Sequence, residues 1–236
     1  MTEVTAIITA HHEGELALAS LRSLQDAVEY ARKAGLSVET LVVLDRTNRE
    51  TEAAFKAANG DYQILHTDLG DPGLARNAGV AAARGRYVTF LDADDLWSFN
   101  WIERSHRFCT SAVEDFIAHS QMNVVFGDDR RYIWHVDSKS QFYDPTYLNI
   151  GNYWDALSFA KRDIYERFPF VKNDLKSGFG HEDWHWNCVT LAAGIHHRPT
   201  PETVHMKRRR KGSQSAECNM NDVMPWQSDY SHYANG

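Results

Sequence analysis

The amino-acid sequence predicts a single α/β domain built on a doubly wound, mixed and mostly parallel sheet. Three observations carry that expectation. Four short apolar runs rich in β-branched and aromatic residues, at 4–10, 39–45, 61–67 and 86–92, recur through the first half. Stretches with apolar residues at every third or fourth position separate them. Polar or charged residues follow the first, second and fourth runs as "HHEGE", "DRTNRE" and "DADD", and open α/β sheets bind ligands beyond these strand ends.

Each element follows in turn. Near-continuous hydrophobicity, as in "LVVL", suits strands buried on both faces of a parallel sheet. Residues 16–34 carry Leu21, Leu24, Val28 and Ala31 at helical spacing. Residues 51–58 and 74–83 are alanine-rich and stop at Gly60 and Gly85, suitable helix ends. This βαβαβαβ order implies right-handed crossovers. Beyond Trp97 the pattern loosens into a helix over 100–116, a strand over 122–128 and an irregular aromatic-rich stretch over 137–154. A helix near 160–167, a loop "PFVKNDLKSGFG" and a helix over 182–193 complete the domain. Residues from 207 onward are polar and read as a partly mobile tail.

Composition sets bounds. The 236 residues, 43% hydrophobic and 24% charged, describe an ordinary globular chain with room for a sizeable core. A formal net charge of -7 argues against general nucleic-acid binding. Cys109, Cys188 and Cys218 are far apart and form no C-x-x-C pair, which suits a reducing cytoplasm. The first residues lack a signal-peptide pattern, and no apolar run reaches the roughly 20 residues that span a bilayer. The expected location is cytoplasmic, with peripheral attachment to the cytoplasmic membrane face left open.

Two stretches carry chemistry. "FLDADD", residues 90–95, ends a strand with three carboxylates, whose mutual repulsion calls for a cation among them. Asp92 and Asp94 are spaced to reach one hard divalent ion, magnesium or manganese. A solvated acidic turn starting a helix is the plain alternative. "GFGHEDWHW", residues 178–186, reads in two ways. His181-Glu182-x-x-His185 has the spacing of a zinc peptidase, but Gly178 and Gly180 place His181 at a helix start, where it cannot share a face with His185. Alternatively Asp183 is a base at a helix N-terminus, with its pKa lowered by the helix dipole.

Residues 70–95, "GDPGLARNAGVAAARGRYVTFLDADD", resemble the region around the D-x-D motif of family-2 glycosyltransferases with the GT-A fold. They match its Ala75-Arg76-Asn77-x-Gly79 helix, its Gly85-x-Tyr87 turn and its Leu91-Asp92-Ala93-Asp94-Asp95 strand end. "TAIITAHHEG" is similar to the family's first strand, with Thr9, His11 and His12 where Pro-x-Tyr-Asn is usual; a histidine can stack on a base as tyrosine does. "LVVLDRTN" keeps one aspartate of the second-strand turn, Asp45. "GFGHEDWHWNCVTLAAG" resembles the family's Gly-x-Gly-x-Glu-Asp segment.

The resemblance implies an inverting, metal-dependent transfer of a sugar from a nucleotide sugar, UDP-linked in the first instance, to a glycan or lipid-linked acceptor in polysaccharide synthesis. It implies Asp183 as the base, with Glu182 orienting acceptor hydroxyls or supporting the loop. Thr9, His11, Asp45, Arg76, Asp92, Ala93 and Asp94 would bind the donor, and Asp45 would contact the base. Asp94, Asp92 and His205 would hold Mn2+ or Mg2+, and Trp184 and His181 would face the acceptor. The run "KRRRK" at 207–211 could close over the pyrophosphate through Arg209 and Lys211, or be a solvated tail or a patch for anionic lipid. On this reading residues 1–97 are the donor half, 98–213 the acceptor and catalytic half, and 214–236 a tail. Two rivals stand beside it: a zinc hydrolase, and a silent nucleotide-sugar-binding module of a larger synthase.

Overall fold

The structure is a computed structural model that describes residues 2–210, 218, 220 and 223–230. The first half follows the predicted alternation: β1 (Val4–Ala10), α1 (Leu16–Lys33), β2 (Val38–Asp45), α2 (Arg49–Ala57), β3 (Gln63–Thr67), α3 (Pro72–Ala82) and β4 (Tyr87–Asp92). The second half holds β5 (Leu96–Trp97), α4 (Trp101–Ser111), β6 (Phe116–Gly127), β7 (Arg131–Trp134), β8 (Ser158–Lys161), α5 (Arg162–Arg167), α6 (Glu182–Ala192) and β9 (His196–Arg209).

All strands join one sheet in the order β3-β2-β1-β4-β8-β6-β9-β5, with β7 on the side of β6. From β3 to β4 every neighbour is parallel. Beyond β4 the pairings are antiparallel except for β6 with β9. Strands β1, β2 and β4 are buried on both faces, so Ile7, Ile8, Val42, Val43, Phe90 and Leu91 need no polar alternation. α1 covers them with the predicted stripe of Leu21, Leu24, Val28 and Ala31, extended by Ala17. Gly79 of α3 lets that helix approach closely, since a Cβ there would meet Ile7 Cγ2 at 3.0 Å.

Two sequence expectations fail here. The helix beginning near 100 stops at Ser111, and Phe116 already belongs to β6. Ala112 is extended and Val113 fully solvent-exposed, so the apolar residues there do not continue the helical stripe. The second correction is β9, whose end from Lys207 was read as tail: it is a 14-residue strand, and Lys207 is buried within it. Part of the tail, expected to be mobile only in part, is packed: Cys218, Val223 and Tyr230 are buried and Phe179 bridges to Met224. Among the described residues no helix is long and apolar enough to cross a membrane.

Candidate active site

The order of strands reverses direction at β1, which lies between β2 and β4. A cleft of about 540 Å³ opens beyond the carboxyl ends of these strands, at the switch point where such sheets bind ligands. Its lining includes Thr9, His11, Asp45, Arg76, Asp92, Ala93, Asp94, His181, Glu182, Asp183 and Arg209. Residues far apart in sequence, expected to share one site, therefore do so. Lys211 lies outside the described residues.

At the β2 end, Asp45 organises a loop. Its Oδ1 accepts from Thr67 Oγ1 at 2.9 Å and Leu69 N at 2.7 Å, and its Oδ2 from Gly70 N at 2.8 Å and Asp71 N at 3.2 Å. Both oxygens are thus engaged inside the protein, so a base would meet the loop that Asp45 holds. His11 donates from Nδ1 to the Asp45 carbonyl at 2.7 Å, and His12 from Nε2 to the Arg46 carbonyl at 2.9 Å. Carbonyls only accept, so these contacts fix which ring nitrogens carry protons. The two rings stack with centroids 3.7 Å apart, a flat surface at the cleft edge.

The centre is a buried lattice of charge. Asp92 Oδ1 accepts from Arg76 Nη2 at 2.8 Å and from Thr9 Oγ1 at 3.2 Å. Burial works to raise the Asp92 pKa, but Arg76 and Lys207 outweigh it and hold the carboxyl below its usual range. The Lys207 ammonium lies 2.9 Å from Asp95 Oδ2, 3.5 Å from Asp155 Oδ2 and 4.0 Å from Asp92 Oδ2. Part of the charge compensation that the acidic strand end calls for is therefore built into the chain. Asp95, with Oδ1 also accepting from Arg208 N at 2.7 Å, is pushed up by burial to about 7. Asp94 is different. Its Oδ2 pairs with Arg210 Nε at 3.0 Å, and among the described residues no hydrogen bond reaches its Oδ1. Arg210 also approaches Glu13, whose pKa burial raises.

The third side of the cleft is the start of α6. His181, its N-cap, has a left-handed backbone with φ 57°, a conformation that costs a β-carbon residue on the order of 1–2 kcal/mol. Glu182 and Asp183 fill the first helical turn. Asp183 runs against expectation. A helix dipole contributes about 0.3–1 kcal/mol, less than one pKa unit. Burial and then the neighbouring Glu182 prevail, and the Asp183 pKa rises to about 7. Trp184 does not line the cleft; its Nε1 donates to the Leu148 carbonyl at 3.0 Å and the ring packs edge-on to His181. The zinc reading finds no support in this geometry. His181 precedes the helix, His185 Nδ1 is spent on the Trp226 carbonyl at 2.9 Å, and no group of three metal-binding side chains converges among the described residues.

His205 is a further correction. It is fully buried, 4.4 Å from the Trp101 ring centroid, and it is absent from the cleft lining. Burial lowers its pKa to about 3. A divalent ion would therefore depend on Asp94, with Asp92 already held by Arg76. One or two carboxylates completed by substrate phosphates is the usual set for magnesium, so the donor set fits such an ion only with a diphosphate present. Sequence reasoning missed Glu13, Asp155 and Lys207 as cleft residues. Lys207 was visible as a basic run, but nothing in its neighbours announced a strand, and Asp155 sits alone in an aromatic stretch.

Comparison with known proteins gives a consistent picture. Residues 5–168 match the family described as Glycosyl transferase family 2. The chain is 26% identical over 184 residues to the uncharacterized glycosyltransferase YibD of Escherichia coli, covering 72% of this chain and 52% of that protein. It is 34% identical over 97 residues to the succinoglycan biosynthesis protein ExoO of Rhizobium meliloti, covering 39% of this chain and 26% of that one. The chain thus spans about half or less of these relatives. Among solved structures, the mannosyltransferase PcManGT of Pyrobaculum calidifontis, in complex with GDP-Man and Mn2+, superposes with a TM-score of 0.64 at 16% identity. The alignment covers 91% of this chain and 59% of that one. S. aureus TarS 1-349 in complex with UDP-GlcNAc gives 0.62 at 16% identity, over 91% of this chain and 61% of that one. At such identities the likeness is one of fold, the GT-A fold.

Proposed function

The chain belongs to glycosyltransferase family 2, and we propose that it transfers a sugar from a nucleotide sugar to an acceptor hydroxyl with inversion at the anomeric carbon. The observation that carries this reading is the meeting, in one cleft, of Asp94 at the end of β4 and Asp183 at the start of α6. The first suits a diphosphate-bound cation and the second a base. The nucleotide lies along His11, His12 and the loop held by Asp45. Ala93 and Asp94 pass beneath the diphosphate, and Arg208, Arg209 and Arg210 offer guanidinium forks to its oxygens. Asp183 takes the proton of the acceptor hydroxyl as its oxygen bonds to the anomeric carbon and the bond to the β-phosphate breaks. Asp94, assisted by Asp92, would hold Mn2+ or Mg2+, which neutralises charge on the departing nucleoside diphosphate when bound. The acceptor enters past His181.

PcManGT with GDP-Man and TarS with UDP-GlcNAc support a nucleotide-sugar donor, and ExoO, named a succinoglycan biosynthesis protein, supports a role in polysaccharide synthesis; we infer a glycan or lipid-linked acceptor. Residues 207–210 line the cleft, which favours phosphate contact over a lipid-binding tail. The test is calorimetric titration with UDP, GDP and dTDP, each with manganese and with chelator. One nucleotide should bind in a manganese-dependent manner, weakened about ten-fold or more by Asp94→Ala. Asp183→Asn should keep that binding and lose transfer by ~10²–10⁴-fold. Unimpaired transfer by Asp183→Asn would remove the base from this scheme.

A further inference from the structure

Arg76 joins the two acidic sides of the cleft. Its Nη2 donates to Asp92 Oδ1 at 2.8 Å on the end of β4, and its Nη1 to Glu182 Oε1 at 2.9 Å in the first turn of α6. The guanidinium is 3% exposed and lies over the Phe170 ring, 5.7 Å from its centroid. Glu182 Oε2 accepts from Asn173 Nδ2 at 2.9 Å, and the same amide group donates to Asp71 Oδ2 at 3.1 Å. Both oxygens of Glu182 are thus used inside the protein, and its carboxylate acts as a bolt. Asp183 is the next residue, with Oδ1 accepting from Trp184 N at 2.8 Å.

We propose, resting on the transferase reading above, that Arg76 is a positioning residue for Asp183: through Glu182 it locks the first turn of α6 to the end of β4, and so fixes the base relative to the bound diphosphate. A guanidinium is suited to this because its planar fork reaches two carboxylates at once, where an ammonium is a single point charge. The bridge also sets charge around the base. Glu182 and Asp155 press on Asp183 with negative charge and Arg76 with positive charge. Displacing a reacting group by about 1 Å costs on the order of 10²-fold in rate. Nucleotide contacts at His11, Asp94 and Arg209 lie outside the bridge.

The experiment is steady-state transfer from about pH 5 to about pH 9 for Arg76→Met, Arg76→Lys, Glu182→Gln and Asp183→Asn, with folded fraction measured by circular dichroism. Arg76→Met and Glu182→Gln are expected to lose roughly 10–100-fold in kcat, with donor KM within about threefold in Glu182→Gln, which keeps the Arg76 contact to Asp92, and Arg76→Lys to recover part of the loss. The acidic limb of kcat should move in opposite directions. It rises in Arg76→Met, which loses a cation beside Asp183, and falls in Glu182→Gln, which loses an anion. Limbs that stay in place while kcat merely follows the folded fraction would reduce Arg76 to an ordinary buried ion pair. Should Arg76→Met fail to fold, Glu182→Gln decides: a limb at the wild-type position overturns the proposal. Wild-type transfer by Asp183→Asn would instead sink the transferase reading. An inactive Asp183→Asn beside wild-type Arg76→Lys and Glu182→Gln would leave that reading standing and remove the bridge.

Discussion

Asp183 is held near neutrality by burial and by Glu182, against the opposing pull of Arg76. A base must be ionised to accept a proton, so kcat should fall about tenfold per pH unit below an acidic limb near pH 7. A limb near the ordinary aspartate range, about pH 4, would show that another group limits the reaction. The same shift acts on stability with the opposite sign to a salt-bridged aspartate. The folded-state pKa lies above the unfolded one, so the folded protein binds the extra proton. Its contribution is therefore favourable at low pH and lost as pH rises from about 4 towards 7. The proposed base is then kept in an environment that costs stability at working pH, as side chains placed for chemistry commonly are.

At the scale of elements, α3 shows how a cap can serve the site. Asp71 accepts from Leu74 N at 2.9 Å as N-cap, while its Oδ2 takes Asn173 N at 2.9 Å and Asn173 Nδ2 at 3.1 Å. Asp71→Ala removes the cap, worth about 1 kcal/mol, and leaves a buried amide of Asn173 unpaired, worth about 1–3 more. Urea denaturation should show a loss of about 2–4 kcal/mol, and a loss below about 1 would mean that the Asn173 contacts are not made. Strands β1, β2 and β4 were legible because strands covered on both faces leave unbroken apolar runs, and α1 because one buried stripe repeats. The helix and strand ends around Asp92 and Asp183 carried the cleft in the same way. β9 was not legible. Its buried positions hold His197, Thr200, Thr203, His205 and Lys207, and no apolar period survives. Lys207 was read as tail for that reason, and His205 was placed in the cleft when its ring belongs among Trp97 and Trp101.

Among the described residues, four buried histidines lie on the far side of the sheet from β1: His119, His135, His197 and His205. His119 Nε2 and His197 Nδ1 are 2.9 Å apart, a contact in which one ring nitrogen must accept, and His197 Nε2 lies 2.8 Å from Thr190 Oγ1. Both rings stack on Trp154. Burial lowers the pKa of all four, to about 3 for His197 and His205. A histidine that is neutral when folded and free to protonate when unfolded makes the unfolded state bind more protons below about pH 6.5, so stability falls as pH falls through that range. Asp95 and Asp183 oppose this, since each holds a proton in the folded state up to about 7. Near pH 5 unfolding therefore takes up about three protons on His119, His197 and His205 and releases about two from these aspartates. The net of about one corresponds to a loss of ~1.4 kcal/mol for each pH unit of acidification. Thermal unfolding followed from about pH 7 to about pH 5 should show that decline. Replacing His119 and His197 together by glutamine should lower that slope by about two protons, whatever the variant's stability at neutral pH. An unchanged slope in the double variant would mean that these two rings are already charged inside the fold, and the stacked neutral pair would have to be abandoned.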